Sequence, residues 1–266
     1  MSKIKTGDYV LFFYNDSKKW LMKVGKKEQF HSHIGIIKHA DAIGKEFGSR
    51  LITNKDKYVY ILKPSIHDYV MKMQHGTQIV YPKDLGYIAA RTGLQSGQKV
   101  VEIGTGSGSL TTFLASIVNP KGHVYTFDVE PKFMEIAEKN IKKAGMSKYV
   151  TMHNQNLKKS KKLPVDECDL AIIDLGDPWE VLPQVRKMLK SSGSVVAICP
   201  TMNQLEKLSA AFVENEFTDI ESTQHILRRI EARDGKTRHS YQGIGHTTYL
   251  AMARKVYFNK KRSKKK

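Results

Sequence analysis

The sequence predicts an α/β protein: a mostly parallel sheet covered by helices on both faces, with a small all-β region before it. Three observations predict this. Short β-rich runs separated by polar turns fill residues 1 to about 65. From about residue 66 strand and helix patterns alternate. The last third closes with two strand-like stretches that have no helix between them, which predicts an antiparallel hairpin at the sheet edge.

In the first region, Tyr9–Tyr14 and Trp20–Val24 flank Asn15-Asp16-Ser17, a hairpin loop by composition. His33–Ile37 and Tyr58–Leu62 supply further strands, and Pro64 opens a link. In the second region, Lys99–Ile103 is a strand and Leu110–Val118 a helix; His123–Val129 is a strand. Pro131 suits a first helical turn, and that helix runs to Ala144 before Gly145. Strands at Tyr149–His153 and Asp169–Leu175, a helix over Pro178–Leu189, a strand at Ser194–Cys199 and a helix over Asn203–Glu214 follow. Phe217–Ile230 and Thr247–Ala253 read as the terminal strands. The expected division is a β-rich domain over 1–65, the α/β domain over 66–255, and a basic disordered tail over 256–266.

Composition narrows the partners. Forty-four Lys and Arg against 26 Asp and Glu give a formal charge of +18, which favours a polyanion because each neutralised phosphate releases counterions. A solvated basic surface is the plainer alternative. Eight basic residues and no acidic one lie between Arg254 and Lys266, a block suited to gripping phosphates. No apolar run approaches a membrane span and the start lacks a signal-peptide core, so a cytoplasmic protein is expected. Cys168 and Cys199 read as core thiols, and neither a disulfide nor a metal site is expected.

The chemistry lies in Glu102-Ile-Gly104-Thr-Gly106-Ser-Gly108, which follows a strand and opens a helix. Glycines there allow a tight turn and close approach of a ligand to the backbone. The spacing is G-x-G-x-G rather than the dinucleotide G-x-G-x-x-G, and there is no P-loop lysine for a triphosphate. Asp128 falls at the end of the next strand, where a carboxylate can accept both ribose hydroxyls of a nucleoside. Turn and carboxylate together fit the adenosyl part of S-adenosylmethionine best.

Three further segments, Gln78-Ile-Val-Tyr-Pro-Lys-Asp84, Asp174-Leu-Gly-Asp-Pro-Trp-Glu180 and Gly245-His-Thr-Thr-Tyr-Leu-Ala-Met-Ala-Arg-Lys255, join the glycine motif in an order that resembles the tRNA (adenine-N1)-methyltransferases of the TrmI family. The resemblance spans roughly residues 66 to 255. It implies a class I, Rossmann-like methyltransferase fold with a mostly parallel seven-stranded sheet, a small N-terminal β domain and a homotetramer. It implies methylation of adenine 58, with adenine 57 added in some archaeal members, in the tRNA T-loop. By position, Gly104, Thr105, Gly106, Ser107 and Gly108 would wrap the methionine and ribose, Asp128 would hold the ribose, Phe133 would flank the cofactor adenine, and Gln78 would close the pocket.

Asp174 matches the family's catalytic carboxylate and borders the cofactor as well. Adenine N1 attacks the sulfonium methyl in line, so placement matters more than proton transfer. A carboxylate accepting from the exocyclic amine orients the ring and offsets its developing charge. A helix N-cap is the alternative role for Asp174. Tyr81 either borders the target adenine or packs as a core residue, and His246 has the same two readings. Arg228, Arg229, Arg233, Lys236 and Arg238 are assigned to tRNA phosphates or to a solvated face. Two departures from the family stand out: Asn156 occupies the place of an Asp expected to hold the cofactor's adenine amine, and Leu175-Gly176 replaces an apolar-then-Pro pair. The rival readings are a protein-isoaspartate type of methyltransferase, a non-catalytic RNA-binding relative and a nicotinamide oxidoreductase. The first explains neither the charge nor Asp174–Glu180, and the glycine spacing disfavours the last.

Overall fold

The computed structural model describes residues 3–76, 78–160, 163–241 and 245–257. The chain divides into two compact units, Met1–Met73 and Gln74–Lys266. The border lies eight residues beyond the expected one at 65 because a short helix belongs to the first unit. In that unit β1 (Tyr9–Asn15), β2 (Lys18–Lys23), β5 (Arg50–Ile52) and β6 (Tyr58–Leu62) form an antiparallel sheet in the order β2-β1-β6-β5. β3 (Gln29–Ser32) and β4 (Gly35–Lys38) form a separate hairpin. Alternation does the sorting: Val59 and Ile61 are buried while Tyr58 and Tyr60 face solvent. The core is Ile4, Val10, Phe12, Val24, Ile34, Ile37, Ala42 and Leu51 with those two. His33 and Ile34, expected to begin a strand, are instead the two-residue turn between Ser32 and Gly35, which pair across the hairpin. Helix α1 (Ile66–Lys72) starts at a reciprocal cap, in which Ser65 accepts from the Asp68 amide and Asp68 accepts from the Ser65 amide.

The second unit adds α2 (Pro82–Thr92), β7 (Lys99–Ile103), α3 (Ser109–Val118), β8 (His123–Asp128), α4 (Pro131–Lys143), β9 (Val150–Asn154), β10 (Cys168–Ile173), α5 (Leu182–Met188), β11 (Leu189–Cys199), α6 (Met202–Glu214), β12 (Phe217–Gln224), β13 (Ile230–Glu231), β14 (Arg238–His239) and β15 (Tyr249–Lys255). Its seven-stranded sheet runs β12-β15-β11-β10-β7-β8-β9, parallel from β9 to β11 and antiparallel at β15 and β12. The central strands are continuous apolar runs, as burial on both faces requires: Val100, Val101 and Ile103, then Leu170 to Ile173, are all buried. Helix α4 buries the stripe Ile136, Ala137, Asn140, Ile141 and exposes Glu135, Glu138 and Lys139.

The chain leaves β7 for β8 and β9 on one side, then returns to β10 on the other side of β7. The carboxyl ends of β7 and β10 therefore flank the switch point of the sheet, where open α/β sheets hold ligands. Two expectations shift. The stretch Phe217–Ile230 is not one strand: β12 stops at Gln224 because its partner β15 begins at Tyr249, opposite it. Residues 230–231 then pair with 238–239 in a separate two-stranded ribbon. The helix expected over Pro178–Leu189 is a 3-10 turn, Pro178–Val181, followed by α5. Arg254 and Lys255, which open the run of basic residues but precede the tail expected over 256–266, belong to β15; Arg254 donates to the Ser192 hydroxyl at 2.6 Å and Lys255 Nζ to the Leu189 carbonyl at 2.5 Å. The rest of that tail from Phe258 onward lies outside the described residues.

Candidate active site

The turn after β7 is built from backbone and carboxylates. Gly104 has φ 103°, and a Cβ there would run into the Asp174 carbonyl, so only glycine lets β7 and β10 close on each other at this point. Its amide donates to the Phe127 carbonyl at 2.8 Å. The Gly106 amide donates to Asp128 Oδ2 at 2.9 Å, while Asp128 Oδ1 accepts from the Glu130 amide at 3.0 Å. Gly108 caps α3 at φ 76°, where a Cβ would press on Ala137 of α4. Thr105 and Thr126 hydroxyls share a hydrogen bond of 2.7 Å beneath the turn. The Ser107 hydroxyl accepts from the Gly76 amide at 2.9 Å, and Asn140 bridges the Ser107 and Gln74 carbonyls, also at 2.9 Å. The strap at 74–76 is thereby tied to the turn.

Three carboxyl groups, those of Glu102, Asp128 and Asp174, sit on or directly after the strands around this turn. Glu102 is fully buried; Thr111 donates to its Oε2 at 2.5 Å, and its Oε1 has no hydrogen-bond partner. Burial pushes its pKa up to about 8, only partly offset by the Thr111 hydroxyl. Asp174 follows β10, with its amide donating to the Ile103 carbonyl at 2.8 Å. Burial, then the charge of Asp128, pushes its carboxyl up to about 6. The same geometry raises the Cys199 thiol to about 11 by burial and by the Asp174 charge, so that thiol is inert. Asp174 caps no helix, since the next helical turn starts at Pro178 after Asp177.

Beside the turn a cavity of about 200 Å³ opens between Ile103, Phe127, Asp128, Asn156, Leu157 and Leu175. Asn156 Oδ1 accepts from the Lys158 amide at 3.0 Å, which leaves that oxygen a second lone pair. The loop from Leu175 is anchored without the expected proline. Gln204 donates to the Gly176 carbonyl at 2.9 Å, and Lys158 reaches Glu180 at 2.8 Å and Asp177 at 3.4 Å. Val129, Gln155 and Leu157 line the cavity and were not singled out in the sequence, although each adjoins a residue that was; Leu175, marked there as a departure from the family, lines it too. Phe133 is not among the lining residues. Its ring lies under the strap, where a Cβ on Gly76 would meet it at 3.4 Å.

Convergent carboxylates suit a cationic ligand, and the glycine cradle suits close approach of one. S-adenosylmethionine fits on both counts: Asp128 and Asp174 supply the carboxylates beside the glycine turn, and the cavity supplies an apolar slot. Among the described residues, no group of three or more His, Cys, Asp or Glu is arranged to hold a metal ion.

The expected substrate residues separate into two groups. Tyr81 is half-buried at the start of α2, its hydroxyl accepting from the exposed Gln78 amide at 3.5 Å. The preceding Val80 carbonyl accepts from Ser109 at 3.4 Å, which ties this segment to the head of α3. His246 is exposed but uses both ring nitrogens: Nδ1 accepts from Gln224 and Nε2 donates to the Pro200 carbonyl, each at 3.0 Å. Arg228 and Arg229 are exposed just past β12, and Arg233, Lys236 and Arg238 are exposed on or beside the β13–β14 ribbon. Arg238 is engaged, with Glu231 at 2.8 Å and the Tyr241 ring at 4.2 Å.

Residues 57–266 match the family described as tRNA methyltransferase complex GCD14 subunit. The chain is similar to the tRNA (adenine(57)-N(1)/adenine(58)-N(1))-methyltransferase TrmI of Methanocaldococcus jannaschii, 31% identical over 270 residues that cover 92% of this chain and 94% of that protein. Among solved structures it is similar to the tRNA (m1A58) methyltransferase TrmI of Aquifex aeolicus, with 30% identity, a TM-score of 0.84, and coverage of 97% of this chain and 100% of that one. It is also similar to a SAM-dependent O-methyltransferase of Thermotoga maritima, with 30% identity, a TM-score of 0.90, and coverage of 96% of each chain.

Proposed function

The chain belongs to the tRNA methyltransferase complex GCD14 subunit family, and on that premise we propose that it methylates N1 of adenine 58 in the tRNA T-loop, with adenine 57 as a second target, from S-adenosylmethionine. Its fold is that of the class I methyltransferases. The observation that carries the proposal is the pairing of the Gly104–Gly108 cradle with Asp128 and Asp174 at the switch point of the sheet.

S-adenosylmethionine, when bound, supplies a methyl group on a sulfonium sulfur, which leaves as a neutral thioether as N1 takes the methyl. Gly104, Thr105, Gly106, Ser107 and Gly108 hold the methionine and ribose portions, and Asp128 holds the ribose hydroxyls. Asn156 accepts from the adenine amine of the cofactor. Gln78 closes the pocket and Phe133 supports it from beneath the strap. Asp174 accepts from the exocyclic amine of the target adenine, which orients N1 and offsets the positive charge the ring acquires. No proton leaves N1, so the site needs no general base. Tyr81 borders the extruded base, and His246 braces the loop after β11.

Arg228, Arg229, Arg233 and Arg238 meet tRNA phosphates, in keeping with the +18 charge of the chain. No helix among the described residues is long and apolar enough to cross a membrane. The working protein is a homotetramer in the cytoplasm, an assembly checked by light scattering of the purified chain.

Nucleoside mass spectrometry tests the proposal, with unmodified tRNA, S-adenosylmethionine and either the wild-type chain or Asp174→Ala. The expected result is 1-methyladenosine from the wild type and at least a hundredfold less from the variant, roughly the loss seen when one transition-state hydrogen bond is removed. A methylated ribose oxygen in place of 1-methyladenosine would move the chain toward the oxygen-directed chemistry ascribed to the Thermotoga protein.

A further inference from the structure

Helices α1 and α2 each carry an aspartate three residues after the N-cap, and the two behave differently. Asp68 turns back to cap its own helix. Asp84 leaves its helix uncapped, since Tyr81 at the N-cap makes no side-chain cap bond. Its carboxylate, with 0% of the side chain exposed, is gathered by the neighbouring Lys83 and by two other segments. Lys83 Nζ, itself 9% exposed, donates to Asp84 Oδ2 at 2.7 Å and Oδ1 at 2.9 Å, and to Thr247 Oγ1 at 2.6 Å. Thr247 Oγ1 donates in turn to Asp84 Oδ2 at 3.1 Å. His225 Nδ1 donates to Asp84 Oδ1 at 3.2 Å.

The cluster continues outward on the same face. The Tyr87 ring packs on His225 with centroids 4.1 Å apart, and the Tyr87 hydroxyl donates to Glu221. Arg91 bridges Glu221 at 2.6 Å and Asp219 at 3.1 Å.

Buried ion pairs add little stability over apolar packing of the same volume, so the location of this one carries more meaning than its strength. Lys83 and Asp84 lie in the first turn of α2, directly after Tyr81. His225 follows the last residue of β12 and leads into Arg228 and the ribbon. Thr247 follows His246 and precedes β15. Gln224 pairs with Tyr249, and Tyr249 with Cys199 at the end of β11, so all three segments stand at the carboxyl edge of the sheet that also carries Asp174. One buried carboxylate thus joins the turn bearing Tyr81 to the foot of the arginine ribbon.

We infer that Asp84 is a positioning residue for methyl transfer, fixing Tyr81 relative to the ribbon and Asp174 through Lys83, Thr247 and His225. The inference rests on the reading of the chain as a tRNA adenine methyltransferase. Asp84 touches neither substrate nor cofactor; its effect passes through the placement of Tyr81.

The test is a double-mutant cycle on the full chain with Asp84→Asn and Tyr81→Ala, following kcat for 1-methyladenosine formation and the Kd for S-adenosylmethionine by calorimetry. Asp84→Asn is expected to lower kcat tenfold or more, to leave cofactor Kd within twofold, and to change kcat by less than twofold once Tyr81 is already alanine. A parallel pair, His225→Ala and His225→Gln, reads the same joint if Asp84→Asn does not fold. The alanine is expected to lower kcat at least fivefold, and the glutamine, whose amide can donate to Asp84, to recover most of it. Equal losses in both Tyr81 backgrounds, a parallel loss of cofactor binding, or an unchanged kcat overturns the inference while the functional reading stands. A wild-type chain that makes no 1-methyladenosine overturns both.

Discussion

The two most perturbed carboxyls of the site give opposite handles on pH. Burial holds the Asp174 carboxyl near 6 in the folded chain, well above its ordinary 3.8, and the proposed mechanism uses it as the ionised acceptor. Turnover should therefore climb as pH passes upward through about 6 and then level off, and Asp174→Asn should flatten that limb at a far lower rate; a pH–rate profile from 5 to 8 shows it. Glu102 concerns stability. Its ordinary value of 4.5 is raised to about 8 in the fold, so between those values the native state keeps a proton that the unfolded chain has lost. Its contribution is complete below 4.5 and falls as pH rises toward 8, by at most about 1.4 kcal/mol per pH unit. Glu102→Gln cannot ionise, so its melting temperature relative to the wild type should rise steadily from pH 5 to pH 8. A difference that stays constant over that range would count against the buried neutral acid. The site residues on contiguous motifs were legible in the sequence, because a strand, its glycine turn and its terminal acid are neighbours in the chain. The partners of Asp84 were not, because His225 and Thr247 come 141 and 163 residues later.

At the level of elements, the join between β7 and β10 depends on one missing side chain. Gly104→Ala puts a Cβ against the Asp174 carbonyl and forces a left-handed φ on alanine. Strain of that kind costs about 1–3 kcal/mol. The expected outcome is a lower melting temperature together with at least tenfold weaker cofactor binding by calorimetry, and near-normal binding would show that the turn relaxes. Among the helices, α3, α4 and α6 were readable to within a residue or so from apolar periodicity. Helices α1 and α2 were not assigned, although Ser65 with Asp68 and Pro82 with Gly93 carry the start and stop signals. Their brevity hid them: seven and eleven residues offer few turns over which a period can show. The long strand expected through Ile230 failed for a different reason. Strand propensity continues past Gln224, but the pairing partner does not.

On the scale of the whole molecule, charge governs encounter with a polyanion. Replacing Arg228, Arg229 and Arg233 together with alanine should weaken tRNA binding and flatten its dependence on salt, by about 0.9 in log–log slope for each phosphate no longer neutralised. Arg238→Ala should change the slope less, because Glu231 and the Tyr241 ring already occupy that side chain. Filter binding across a salt series separates the two. A slope unchanged by the triple variant would mean that the ribbon is only a solvated face.

By itself the sequence determined the class of the fold, the cradle, and the carboxylates Asp128 and Asp174, since each is encoded within a strand and the few residues after it. Strand alternation and helix periodicity are local properties, and so is the need for glycine at a tight turn. Only the tertiary structure decided the order of the strands, and with it the meeting of β7 and β10 that sets Asp174 against Gly104. It alone left Glu102 Oε1 buried without a partner, placed Phe133 under the strap, and drew Lys83, Asp84, His225 and Thr247 into one cluster. The physical reason is common to all of these. Burial and ion pairing depend on which distant segments share space, and no local pattern in the chain specifies that.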